Sequence, residues 1–97
     1  MVGISVIRLH LPGIRSLKAK RTVVKSLTAR LRREFNVSCA EVDLHDVWQS
    51  AEIGVAVVSN SAAHARDILN HVVEWIEFHR PDVQIVDHRV EMIHHTE

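Results

Sequence analysis

Residues 37–58 read VSCAEVDL, HD, VWQSAEIGVAVV, and this stretch decides the fold. From Val37 to Leu44, Ser38, Ala40, Val42 and Leu44 alternate with Cys39, Glu41 and Asp43, the period of a strand with two unlike faces. After a break at His45-Asp46, Val47 to Val58 supplies another strand, and two strands so closely joined form a hairpin. Upstream, Leu17, Val24, Leu27, Leu31 and Phe35 recur at helical spacing behind Ser16, a good N-cap, and Asn36 ends the run. Downstream, Ser59-Asn60-Ser61 caps a second helix with an apolar stripe of Ala65, Ile68, Leu69, Val72 and Ile76, stopped by Pro81. Val2–Leu11, closed by Pro12-Gly13, is the first strand, and Val83–Ile93 is the last. The order is βαββαβ, the split βαβ arrangement of ferredoxin-like folds. The expectation is one α+β domain spanning residues 1–97. It has a four-stranded antiparallel sheet of strand order 4-1-3-2 with two helices on one face.

Composition narrows the function classes. The chain has 97 residues, 46% hydrophobic and 25% charged, the balance of an ordinary globular domain. No apolar run approaches the roughly 20 residues of a membrane span, so no membrane partner is expected. Arg8 and His10 interrupt the N-terminal apolar stretch, unlike a signal peptide. A single cysteine, Cys39, makes no internal disulfide and cannot supply a Cys₄ or Cys₂His₂ zinc site. These features lead to a cytoplasmic expectation. The zero net charge conceals an asymmetry: residues 1–33 hold nine of the twelve Lys and Arg and no acid, and all twelve acids follow. Such a split points either to a basic face for phosphate or an acidic partner, or to halves that neutralise each other on folding.

Several runs carry a resemblance: LHLPGIRSLKAKR at 9–21, FNVS at 35–38, AEVD at 40–43, DVWQSA at 46–51 and GVAVVSN at 54–60. Together they resemble the YlxP-like family of small bacterial proteins, of unknown function, across essentially the whole chain. Genes of that family often lie among those for transcription elongation, translation initiation and ribosome maturation. The resemblance therefore implies a connection to RNA or the ribosome. One departure is Ala19, where the family pattern leads us to expect Glu completing a capping box with Ser16. Its absence leaves this helix start more positive.

The basic residues gather on the first helix. Lys18, Arg21, Lys25 and Arg32 fall within about 60° on a helical wheel, with Lys20 on the other flank and Arg33 further round. A basic stripe is a common footprint of phosphate contact; the alternative is a solvated face balanced by acids elsewhere in the domain. The expected topology also brings His10, Arg15, Ser16, Lys18 and His45 toward the N-terminus of that helix, whose free N–H groups favour anions. Gly13 stands alone there, so no glycine-rich phosphate loop is present. The open sheet face is expected to carry Glu41, Asp43, Glu52, Asp87 and Glu91 with only Trp48 as an aromatic. That argues against RNA stacked on the sheet.

Eight histidines raise the question of metal, but His94 and His95 on a strand would point to opposite faces, and His64 and His71 sit about 10.5 Å apart along a helix. No metal site, cofactor or catalytic set is expected. Asp43, His45 and Asp46 read as turn chemistry, and neither a serine nor Cys39 has an identifiable base. His64, His71, Trp75 and Phe78 flank the stripe of the second helix, either as a partner surface or as the edge of the core. The leading expectation is a non-enzymatic RNA- or ribosome-binding module using the first helix. The alternatives are a structural homodimer whose basic and acidic faces pair, and a binder or enzyme for a phosphorylated small molecule at the loop end.

Overall fold

The computed structural model describes residues 1–94. Its elements are β1 (Val2–His10), α1 (Leu17–Glu34), β2 (Ser38–Asp43), β3 (Ser50–Val58), α2 (Ala62–His79) and β4 (Gln84–Ile93). All strand pairings are antiparallel, and the sheet order is β2-β3-β1-β4, the expected order read from the other edge. The expectation about His95 lies outside the described residues.

Both helices begin where a serine can accept a hydrogen bond from a free amide. Ser16 accepts from the Ala19 N–H and Ser61 from the His64 N–H. The apolar stripes then meet one face of the sheet. Ile7 and Leu9 from β1, Ile53 and Val55 from β3, Leu27 and Leu31 from α1, and Leu69, Val72 and Ile76 from α2 are almost wholly buried. Each such side chain contributes roughly 1.5–3 kcal/mol of burial, enough in aggregate to fix which face of each element points inward.

The hairpin connection is longer than the sequence suggests. β2 ends at Asp43 and β3 begins at Ser50, so Val47 and Trp48 lie in the turn rather than in a strand. Two local irregularities end the ladder early. The β2–β3 register slips between Glu41 and Asp43, and Leu44 adopts φ 64°, a left-handed conformation that an L-residue can adopt only at a steric cost.

Opposed residues in an antiparallel pair share a face, so the register writes out the open side of the sheet in rows. Ser38, Ala56, Ile4 and Glu91 form one row, and Ala40, Gly54, Val6 and Arg89 the next. Val58, Val2 and Ile93 lie beyond the first row; Asp43, Glu52, Arg8 and Asp87 lie beyond the second. The open face is thus apolar over one half and charged over the other. Glu41 is a correction to the expected acidic face. It pairs in register with the buried Ile53, which turns it toward the helix layer.

Candidate nucleic-acid interface

α1 is a helix because Leu, Lys, Arg and Ala dominate it and a serine caps it, yet its charges do little for its own stability. No acid occupies the first turn, where the dipole would favour one, and Lys18 and Arg21 stand near that positive end instead. Arg15, Lys18, Arg21, Lys25, Arg32 and Arg33 are all exposed. Among the described residues, no carboxylate lies within 4 Å of Arg15, Lys18, Arg21, Lys25 or Arg33. Of the described acids, Asp43, Glu52, Asp87 and Glu91 sit on the open sheet face and Asp67, Glu74 and Glu77 on α2. Arg30 differs: it pairs with Glu34 at 3.7 Å and lies 5.3 Å from the Trp75 ring centroid, so it bridges α1 to α2.

Two of the candidate phosphate-contacting residues serve other ends. Lys20 is only 1% exposed and cannot reach a phosphate outside the domain, which corrects its placement among the surface cations. Its Nζ lies 2.8 Å from Glu41 Oε2 and donates a hydrogen bond to the Leu44 carbonyl oxygen. The buried cation therefore holds both the inward-facing carboxylate of β2 and the left-handed turn residue that follows. Arg32 is an exposed residue, but its guanidinium donates to the Cys39 carbonyl at 2.6 Å and fastens α1 to the edge strand β2.

The loop end is knitted by backbone and side-chain contacts. Gln49 Nε2 donates to the Ile14 carbonyl at 3.1 Å, and the Leu11 N–H donates to Gln49 O at 2.9 Å. His10 Nδ1 also lies 3.1 Å from Gln49 O, while His45 Nε2 lies 3.2 Å from Glu41 O within its own turn. The two histidines expected at an anion site are thus engaged with carbonyl oxygens, and the Ser16 hydroxyl is spent as the helix cap. Arg15 and Lys18 remain exposed at this end. Cys39 is buried, its thiol donating to Thr28 O at 3.4 Å, and burial pushes its pKa up despite nearby Arg32, the reverse of what a nucleophile needs.

On α2, Trp75 is half-buried, stacked on His79 with ring centroids 4.7 Å apart, and it seals the edge between the helices. Phe78 is 83% exposed, and His64 and His71 face outward as well. Positions 64, 71, 75 and 78 lie along one side of α2, with Trp75 half-buried among three exposed neighbours. Among the described residues, no three His, Cys, Asp or Glu side chains are grouped as a metal site would require.

Residues 2–90 match the family described as Protein of unknown function (DUF503). The chain belongs to this family. It is also 34% identical over 77 residues to the "Uncharacterized protein YlxP" of Bacillus subtilis (strain 168), covering 79% of this chain and 84% of that protein. The matched region takes in the whole of α1 and the hairpin, so every residue of the cation stripe lies inside the DUF503 unit. In addition, none of the described helices is long and apolar enough to cross a membrane.

Proposed function

We propose that this chain is a non-enzymatic cytoplasmic module that binds RNA, or the RNA surface of a ribonucleoprotein such as the ribosome, through the exposed face of α1. One observation carries the reading: Lys18, Arg21, Lys25 and Arg33 are exposed along α1, Arg15 is exposed just before it, and no described carboxylate lies within 4 Å of them. If the stripe were scaffolding balanced by acids of the same domain, those acids would be found against it. Cations near the positive end of a helix cost a few tenths of a kcal/mol each, and an external polyanion offsets that cost. The charged rows of the open sheet face, with Glu52, Asp87 and Glu91, favour the helix side over the sheet side for phosphate.

Contacts of this kind position a ligand without reading bases. The test is fluorescence anisotropy with a labelled single-stranded RNA over a salt titration. Log affinity should fall with log salt by about 0.7 per phosphate contact. No binding at low salt, or a flat salt dependence, would contradict the proposal.

A further inference from the structure

We infer that Trp48, on the turn between β2 and β3, is a stacking platform for an unpaired base of single-stranded RNA whose phosphates lie on Arg15 and Lys18. The inference rests on the RNA reading above and adds to it the strand type and the base contact. Trp48 is 51% exposed and takes no part in the buried core. Among the described residues its ring stacks on no other aromatic ring, and no cation lies over it. The other tryptophan shows what a structural indole does here: Trp75 packs against the core, stacks on His79 and carries Arg30 over its ring. An indole buries a large apolar area when it is packed, and one left half in water beside charge is the kind of group that meets a partner.

The turn that carries Trp48 is held at both ends. On one side the Leu44 carbonyl accepts from the buried Lys20 and from the Val47 N–H, and Asp43 Oδ1 accepts from the Leu44 N–H at 2.7 Å. On the other, Gln49 O accepts from the Leu11 N–H, and Gln49 Nε2 donates to the Ile14 carbonyl. A ring presented on a fixed turn loses little freedom when a ligand covers it. The Gln49–Ile14 contact also sets its place: Trp48 precedes Gln49 in the chain, and Arg15 follows Ile14. The turn therefore lies against the segment leading into α1, where Arg15 and Lys18 are exposed.

These neighbours select the occupant. Cations meet phosphate, and an indole face stacks on any base, the combination that holds single strands without reading their sequence. Asp43 and Asp46, exposed on the same turn, direct phosphates toward α1 but do not oppose a neutral base. A duplex offers no such base, because its own stack covers the faces. Trp48 thus gives the cation stripe a preference for unpaired RNA that the cations alone lack.

The deciding experiment measures anisotropy on the full chain with a labelled oligouridylate of about 10 nucleotides, and with a blunt RNA duplex of the same length. Trp48→Leu, which keeps apolar bulk without a π-face, should weaken single-strand binding about 5- to 150-fold at an unchanged salt slope. It should leave duplex binding as in the wild type, and Trp48→Phe should recover most of the loss. In Trp75→Phe, where Trp48 is the sole indole, the oligouridylate should quench the fluorescence, a readout that needs no Trp48 variant to fold. Thermal melts establish that each protein compared is folded. Single-strand binding unchanged in Trp48→Leu, or an unquenched indole in RNA-saturated protein, overturns the inference and leaves phosphate binding by α1 standing. Equal losses for single strand and duplex also overturn it, as the mark of lost structure rather than lost stacking. A wild-type chain that binds no RNA at low salt overturns both. Fluorescence shifted by phosphatidylserine vesicles and not by RNA would instead make the turn a membrane contact, and the inference would fall.

Discussion

α1 and α2 obey the same structural rules and carry opposite charge. Each is 18 residues long, each is capped by a serine that accepts from the third amide beyond it, and each ends with a C-cap N–H bonded back to a carbonyl of the last turn. Both bury one apolar stripe against the same sheet. Yet α1 carries Lys18, Lys20, Arg21, Lys25, Arg30, Arg32 and Arg33 against Glu34 alone, while α2 carries Arg66 against Asp67, Glu74 and Glu77. The fold needs the caps and the stripes, and α2 supplies them without a cation excess. The excess on α1 is therefore content the architecture does not explain. It divides into Lys20 and Arg32, which fasten the hairpin and the edge strand, Arg30, which bridges to α2, and the remaining cations, which touch no described carboxylate.

The sharpest way to break this division is through Lys20. Lys20→Ala leaves the Glu41 carboxylate buried without its cation, and the loss should reach about 3–5 kcal/mol in denaturant unfolding. Replacing Lys20 with Met and Glu41 with Leu together should recover most of that loss, since an apolar pair of similar volume avoids desolvated charge. A Lys20→Ala variant as stable as the wild type would show that Lys20 does not hold the hairpin. Arg32→Gln should cost about 1.5 kcal/mol, the scale of a hydrogen bond to a charged donor, because Cys39 O loses its guanidinium partner. Equal stability for this variant and wild type would remove the distinction between Arg32 and Lys25.

A smaller effect belongs to the end of α2. Arg80 donates to Asp82 at 2.8 and 2.9 Å, and this hydrogen bond holds the Asp82 carboxyl below its ordinary range. A carboxyl with a depressed folded-state pKa adds stability that is present above the unfolded value of about 3.9 and lost as pH falls through the folded value. Asp82→Asn should therefore lower the melting temperature slightly at pH 7 and not at pH 2. Because the Asp82 side chain is 46% exposed, the effect should stay within a few tenths of a kcal/mol. An equal difference at both pH values would mean that the ion pair is not its source.

Element type, strand order and helix caps were legible because period, serine caps and turn residues all agree with one topology. The longer turn was not, since neither the slip after Glu41 nor the left-handed Leu44 marks the residue pattern, and the Lys20 contact with the Leu44 carbonyl is a tertiary one. The burial of Lys20 did leave a signal. Residues 20, 24, 27 and 31 share one helical stripe, which sets Lys20 in phase with Val24, Leu27 and Leu31, and Glu41 likewise keeps the inward phase of Cys39. A cation in an apolar phase is read as buried only when a partner acid in an inward phase is sought alongside it. The carbonyl contact of Arg32 left no such mark, because backbone acceptors are invisible to residue patterns.

The exposed cations of α1 carry the proposed function, and one paired measurement on Lys25→Gln tests them directly. Lys25 is exposed, near the centre of the stripe, and no described carboxylate lies within 4 Å of it. RNA affinity across a salt series and the melting temperature are measured on the same samples. Phosphate contact by Lys25 predicts weaker binding to every RNA tried and a salt slope shallower by about 0.7. Folding stability should stay within about 0.5 kcal/mol of the wild type. Unchanged RNA affinity with a lowered melting temperature would contradict it and make the cation stripe part of the scaffold.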